Sequence, residues 1–404
     1  MKIRSITAFA SLDQKDYPAQ IAALAPAVQA AQQQLEAADY AVQSTRLATQ
    51  SFSQLIAGLD AAETLALAQA IEARALEAGF GYISLGPVAA DDSASLAQVA
   101  PVLGGTEASF LSVQLAGPDD ALDPRRLAAS AEVIQQVSVL QPNGFANLKL
   151  AALANVAPGS PFFPAAYHAN DPPAFAFGPQ AADLAVQAFS DISNIQAASQ
   201  ALTAAIESHS RILEEVGVQI EARQGLDFLG TDFSLAPYPK DRESLGKAIE
   251  LMGVPQVGLQ GSLTTAAVLT SAIQAAKFKR TGFNGLLLPP LEDSVLAQRA
   301  AEGLLSVNDL LMLSAVCGTG LDTIPLPGDI PTDALAAILM DLTALALRLD
   351  KPLTARLMPI PGKRAGDETD FEFEFFANSR VLAADEAGLK PPLSQSPPFT
   401  IRKR

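Results

Sequence analysis

Leu321-Asp322-Thr323-Ile324-Pro325, then Pro331-Thr332-Asp333-Ala334-Leu335-Ala336-Ala337-Ile338-Leu339-Met340-Asp341-Leu342-Thr343-Ala344-Leu345-Ala346-Leu347-Arg348-Leu349, then Leu353-Thr354-Ala355-Arg356-Leu357-Met358-Pro359-Ile360 follow one another with short connections. The outer two runs read as strands. The alanine- and leucine-rich run between them fits a 3.6-residue period. A strand–helix–strand unit of this kind places its strands parallel in one sheet, with the helix packed on a face. The same alternation runs through the rest of the chain. Strands are expected over 3–11, 40–49, 79–85, 109–115, 146–155, 174–177, 226–235, 283–288, 321–325, 353–360 and 371–376. Helices are expected over 19–38, 61–78, 124–140, 180–217, 241–253, 263–276, 292–303, 307–315 and 331–349. Asp241 and Thr332 stand where a helix-starting oxygen belongs, Gly217 and Gly253 where a helix stops. Ten or eleven strands exceed what an open sheet usually carries, so closure into a barrel is expected.

No Gly/Ser-rich or charge-rich run divides the chain, and the proline-rich patches 158–173 and 391–398 are too short for linkers. A single α/β domain over 1–404 is expected, with a loosely held tail from about 390. The 404 residues are 49% hydrophobic, enough for a sizeable core. At this length a compact fold exposes roughly 15,000 Å². Twenty-seven basic against 43 acidic residues give a net charge of −16. Such a surface repels phosphate backbones and anionic lipid, which argues against nucleic-acid and membrane partners. The most apolar long run, 334–349, contains Asp341 and Arg348 and falls short of the ~20 residues a bilayer span needs. The first residues show no apolar leader core. A cytoplasmic location is expected.

The chemistry-bearing residues are few. One cysteine excludes an internal disulfide and a cysteine zinc cage, and two histidines exclude a multi-histidine metal site. The cofactor therefore stays open, with a divalent metal held by carboxylates as one option. Cys317 precedes Gly318-Thr319-Gly320, which reads either as an exposed turn displaying a thiol or as a small buried apolar residue beside a glycine turn. Val257-Gly258-Leu259-Gln260-Gly261-Ser262-Leu263-Thr264-Thr265 opens a helix. Gly258, Gly261, Ser262, Thr264 and Thr265 either hold an anion there or simply start the helix. Asp232 stands inside an apolar strand, where an unpaired charge is costly, and so carries a functional expectation. Glu292 and Asp293 read more simply as favourable charge on a helix N-terminus. His168, after Pro161-Phe162-Phe163-Pro164-Ala165-Ala166-Tyr167, is placed for a pocket, whereas His209 reads as a solvated surface residue. Arg356 and Lys363 near strand ends suggest an anionic substrate group, or pairing with the surplus carboxylates.

Four stretches carry a family resemblance: Pro161–His168, Asp232-Phe233-Ser234-Leu235-Ala236-Pro237, Cys317–Asp322 with Pro325-Leu326-Pro327-Gly328-Asp329, and Thr354–Lys363. In order and length they resemble the family called domain of unknown function 711. That resemblance implies a ten-stranded α/β barrel of the type shared by pyruvate formate-lyase and ribonucleotide reductase. In those enzymes a loop cysteine inside the barrel becomes a thiyl radical, and Cys317 is the residue that would take that place. The glycyl-radical motif is not matched: the nearest text is Arg380-Val381-Leu382-Ala383-Ala384, without the glycine.

The expectation is an enzyme acting on a small anionic metabolite through Cys317, without a glycyl radical. Asp232, Asp322 and His168 would be its proton-transfer or metal-binding partners. The alternative is a non-catalytic sensor using the same barrel pocket. In either case a homo-oligomer, most simply a dimer, is expected from base rates.

Overall fold

The structure, a computed structural model, describes residues 1–117, 121–170, 172–191 and 194–404. Its accessible surface is 15468 Å², close to that expected of a compact chain of this length. Nine strands form one mixed sheet: β1 Lys2–Phe9, β2 Thr45–Ala48, β3 Tyr82–Val88, β4 Ser109–Ala116, β5 Leu150–Ala154, β6 Ala174–Gln180, β7 Asp227–Thr231, β8 Gly320–Pro327 and β9 Leu353–Ile360, in spatial order β7-β6-β1-β2-β3-β4-β5-β9-β8. β1 to β5 are parallel neighbours. The β6–β7 and β8–β9 pairs are each parallel internally and run antiparallel to the central five.

The helices are α1 Tyr17–Ala37, α2 Phe52–Leu55, α3 Ala61–Glu77, α4 Val99–Gly105, α5 Pro124–Ser138, α6 Ala182–Phe189, α7 Ile195–Gln224, α8 Leu245–Leu251, α9 Ser262–Ala275, α10 Ser294–Ala301, α11 Val307–Cys317 and α12 Thr332–Leu349. None of the described helices is long and apolar enough to cross a membrane. The expected helix 180–217 is two, α6 and α7. Residues 192 and 193 between them, and residue 171 in the patch 158–173, lie outside the described residues. Gly217 does not stop α7, which runs on to a left-handed Gly225. A Cβ at Gly217 would collide with the Phe228 ring, so this glycine serves close helix–strand packing. Asp241 is the first residue of a 3-10 turn, Asp241–Glu243, and Ser244 is the residue that caps α8.

Two expected strands are absent as such. Residues 371–376 form no ladder, and 283–288 make one isolated bridge, Leu286 to Leu235. The latter segment nevertheless lies between the two ends of the sheet. On one side Thr231 N–H donates to Lys279 O (2.9 Å) and Leu235 N–H to Gly285 O (3.0 Å). On the other Leu286 N–H donates to Cys317 O (2.9 Å), and the Thr319 hydroxyl donates to Leu286 O. The C-terminal segment pairs Phe399 with Leu122 and hydrogen-bonds Arg404 N–H to Arg348 O.

The two-residue period of the strands sorts their side chains. Leu47 of β2 and Leu353, Ala355 and Leu357 of β9 join the main core with the helices. Arg46 and Ala48 of β2, and Thr354, Arg356 and Met358 of β9, alternate with these and turn to the other face. That second face holds small clusters around Phe9, Ala48 and Ala174, and around Met358 and Ile360. It is also where the arginines gather.

Candidate functional site

Three arginines meet at one end of this second face. Arg4 lies where the β1–β6 register shifts between Ile3 and Ser5, and a bulge of this kind re-aims a side chain. Arg46 and Arg356 arrive by ordinary strand alternation. Glu292, two residues before α10, lies among them. It accepts from Arg4, and from Arg356 Nη2 at 2.8 Å. Arg356 Nε donates to Asp322 Oδ1 at 2.6 Å, and its Nη1 reaches Leu148 O at 3.4 Å. Burial works against every charge here, but the partners decide two of them. Arg4 and Arg356 hold the Glu292 carboxyl below its ordinary range, and Asp322 and Glu292 hold Arg356 above its own.

Arg46 differs. Its Nε donates to Ser44 Oγ at 2.9 Å, and its guanidinium lies over the rings of Phe163 (5.1 Å) and Tyr82 (5.8 Å). Among the described residues, no hydrogen bond or ion pair reaches either of its terminal nitrogens. It is 9% exposed. Burial, with Arg4 nearby adding to it, pushes this guanidinium down to about 9. Arg4 and Arg356 are thus ion-paired with Glu292 and Asp322, whereas Arg46 has no ion pair among the described residues.

These groups line a cavity of about 250 Å³ whose walls include Phe110, Phe145, Phe162, Phe163, Phe373 and Phe375. The ring contacts are edge-on, Tyr82 to Phe110 at 5.5 Å and Phe110 to Phe163 at 5.4 Å, which fixes the wall beside Arg46. Phe373 and Phe375 come from the stretch 371–376, whose chain is pinned by Ala377 N–H on Leu291 O (2.6 Å). Lys149 also lines the cavity, but its ammonium is spent on Leu103 O and Thr106 O. A second chamber of about 30 Å³ adjoins it, sharing Phe162, Phe163, Leu287 and Arg356 and adding Asp322 and Thr319.

The expected site residues scatter relative to this cavity. Arg356 belongs to it, and Asp322, bonded to Arg356, lines the adjoining chamber. Cys317 does not: the exposed turn is corrected to a thiol 1% exposed in the main core, with the Thr319 hydroxyl 3.8 Å away. The reason is that α11 delivers the cysteine to its inner surface one residue before Gly318 turns the chain. Asp232 is fully buried and accepts from Phe283 N–H (2.7 Å), Asn284 N–H (2.9 Å), the Ser234 hydroxyl (2.7 Å) and Ser234 N–H (3.2 Å). It fastens the segment 282–284 to the end of β7. His168 lies near the far ends of β1 and β2, with Ser11 Oγ at 3.1 Å and Pro172 O at 3.3 Å. Lys363 binds Glu368 O and Asp370 in the excursion after β9. Gly258, Gly261, Ser262, Thr264 and Thr265 are absent from the cavity wall. Ser262 Oγ accepts from Gly258 N–H and donates to Leu259 O, and Thr265 Oγ1 bonds Gly261 O, so this helix start satisfies itself. His209 is half-buried rather than solvated, its Nδ1 2.7 Å from the Tyr40 hydroxyl. Among the described residues, no cluster of His, Cys, Asp and Glu has the arrangement of a metal site.

The helix-terminus reading holds for one of the acidic pair. Asp293 caps α10 through Val295 and Leu296 N–H and also accepts from Ser244 and Leu245. Glu292 turns inward to the arginines instead. Arg4, Arg46 and Glu292 are therefore the residues the sequence reading missed.

A family model described as Uncharacterised ACR (DUF711) matches residues 1–378. The chain belongs to this family. Similar proteins include a UPF0210 protein of Pyrobaculum arsenaticum, 34% identical over 72% of this chain and 66% of its own length. One from Pyrobaculum aerophilum is 33% identical over 78% of the chain and 72% of its own length. Another from Methanopyrus kandleri is 29% identical over 75% and 70%. The chain thus spans about two thirds of the length of the first of these relatives. All of the cavity-lining residues named above fall within the matched 1–378.

Proposed function

We propose that this DUF711 protein binds a small anionic metabolite in the arginine-lined cavity, inside a sheet that the segment 279–288 closes into a barrel. The observation that carries the reading is Arg46: a guanidinium 9% exposed, aimed into a cavity, with both terminal nitrogens open. A buried charge left unpaired is costly, and a ligand anion is the partner that removes the cost. Closure is supported by the hydrogen bonds from 279–286 to residue 231 and residue 235 on one side and to residue 317 on the other.

The cavity wall includes neither cysteine nor histidine. This favours the binding or sensing role over covalent catalysis through Cys317. A catalytic version of the reading runs instead on Glu292, in the cavity wall, and Asp322, in the adjoining chamber. The cytoplasm is the proposed setting and a homodimer the proposed assembly, for which light scattering at twice the chain mass is the check.

The test is thermal denaturation of the wild type and of Arg46→Met against a set of small organic acids. Ligand binding raises the midpoint of the state it binds. The wild type is expected to gain stability with at least one acid that leaves Arg46→Met unchanged. Equal gains in both proteins would overturn the assignment.

A further inference from the structure

The donors around the cavity narrow the ligand to one chemical class, and this step rests on the anion-binding reading above. Arg4 and Arg356 are committed to Glu292 and Asp322, and Lys149 to two carbonyls. The nearest helix start, that of α10, is closed by the Asp293 carboxylate on its own N–H groups. Arg46 is the guanidinium left without an ion pair, and its terminal edge is open. Ser44 takes the Nε, and the guanidinium lies over the rings of Phe163 and Tyr82. Two parallel N–H groups on one rigid edge match the two oxygens of a carboxylate. A phosphate dianion needs more donors than this edge supplies, and Glu107 and Glu374 in the same wall oppose its second charge.

Much of the rest of the wall is aromatic. Six phenylalanines line this cavity of about 250 Å³, and their rings suit a compact hydrocarbon body. We infer that the ligand is a monocarboxylic acid with a small aromatic or branched apolar body, its carboxylate bidentate on Arg46 and its body against Phe110, Phe163 and Phe373. Glu107 and Glu374, exposed at the rim, repel a second carboxylate and so disfavour dicarboxylic acids.

Calorimetric titration of the full chain with phenylacetate, hexanoate, phenylacetamide and inorganic phosphate separates the possibilities. At least one of the two acids is expected to bind tenfold or more tighter than phosphate and than the neutral amide. Arg46→Lys, which keeps the charge and removes the fork, is expected to weaken that acid at least tenfold. Phosphate binding as tightly as the acids would overturn the carboxylate class and leave the anion cavity standing. The amide binding as tightly as phenylacetate would overturn the anion cavity itself. Absence of binding by both acids, or full affinity in Arg46→Lys, would also contradict the inference. The comparison of probes is made on the wild type and stands whether or not the variant folds.

Discussion

Asp232 and Arg46 are both charged residues in or beside short strands, and both are withdrawn from water, yet their hydrogen-bond accounts differ. Asp232 collects two N–H groups from the 283–284 segment and two donors from Ser234, so both carboxylate oxygens are occupied by the protein itself. Arg46 has one internal partner, Ser44, and two terminal nitrogens open to a cavity. The first is an anchor that joins 282–284 to β7. The second is half of an interaction whose other half is missing from the chain. Burial of a charge alone does not separate these roles; the unfilled valence does.

The comparison can be broken at either side, and the larger effect is expected at the anchor. Asp232→Ala strands two backbone N–H groups in the interior and should cost about 3–5 kcal/mol of stability. Urea denaturation measures this, and a loss under about 1 kcal/mol would remove the anchor role.

Arg46→Met should act in the opposite direction. Burial pushes the folded guanidinium down to about 9 from the ordinary arginine range, so the native state holds this proton less tightly than the unfolded chain. Below about pH 9 the charge disfavours folding in full, and the cost fades as pH rises above that toward the ordinary arginine range. Replacing it with a thioether of similar reach should stabilise the ligand-free protein at neutral pH by about 1–3 kcal/mol. The gain should narrow at alkaline pH. A marked loss of stability at neutral pH would mean that Arg46 is itself an anchor.

The smallest effect belongs to Cys317. In the core beside Thr319 its thiol should resist alkylation near neutral pH until denaturant is added, and Cys317→Ala should cost ~1 kcal/mol or less. Rapid labelling of the folded protein would return the cysteine to the candidate site.

Much of the architecture was legible because periodicity and end signals are local. The unit that ends in β9 has its helix and second strand at nearly the expected bounds, and the parallel core β1–β5 follows from the same alternation. What misled was context. Gly217 looks like a stop because glycine disfavours helix, but the Phe228 ring needs the space and α7 continues past it. The alternation Phe371-Glu372-Phe373-Glu374-Phe375 looks like a strand. Its rings instead find Phe145 and the cavity, and the backbone has no neighbouring strand to join.

The site was half legible. Arg356 was visible as a charge near a strand end, and Asp322 as a candidate partner of Cys317. The argument that singled out Asp232, a charge inside an apolar strand, applies equally to Arg46 in Thr45-Arg46-Leu47-Ala48 and was available there. Arg4 was not readable, because a β-bulge turns it inward and register shifts leave no mark in one sequence. Nor was the choice between Glu292 and Asp293, adjacent carboxylates of which one caps a helix and the other pairs with arginines.

A crystal structure of the protein with whichever acid binds most tightly tests the central claim most directly. The account expects both carboxylate oxygens within ~3 Å of the two terminal nitrogens of Arg46, with the Arg4–Glu292–Arg356–Asp322 chain of ion pairs unbroken. A ligand carboxylate seated elsewhere, or Arg46 folded onto Glu107 or Glu374 with the acid untouched by it, would contradict the account.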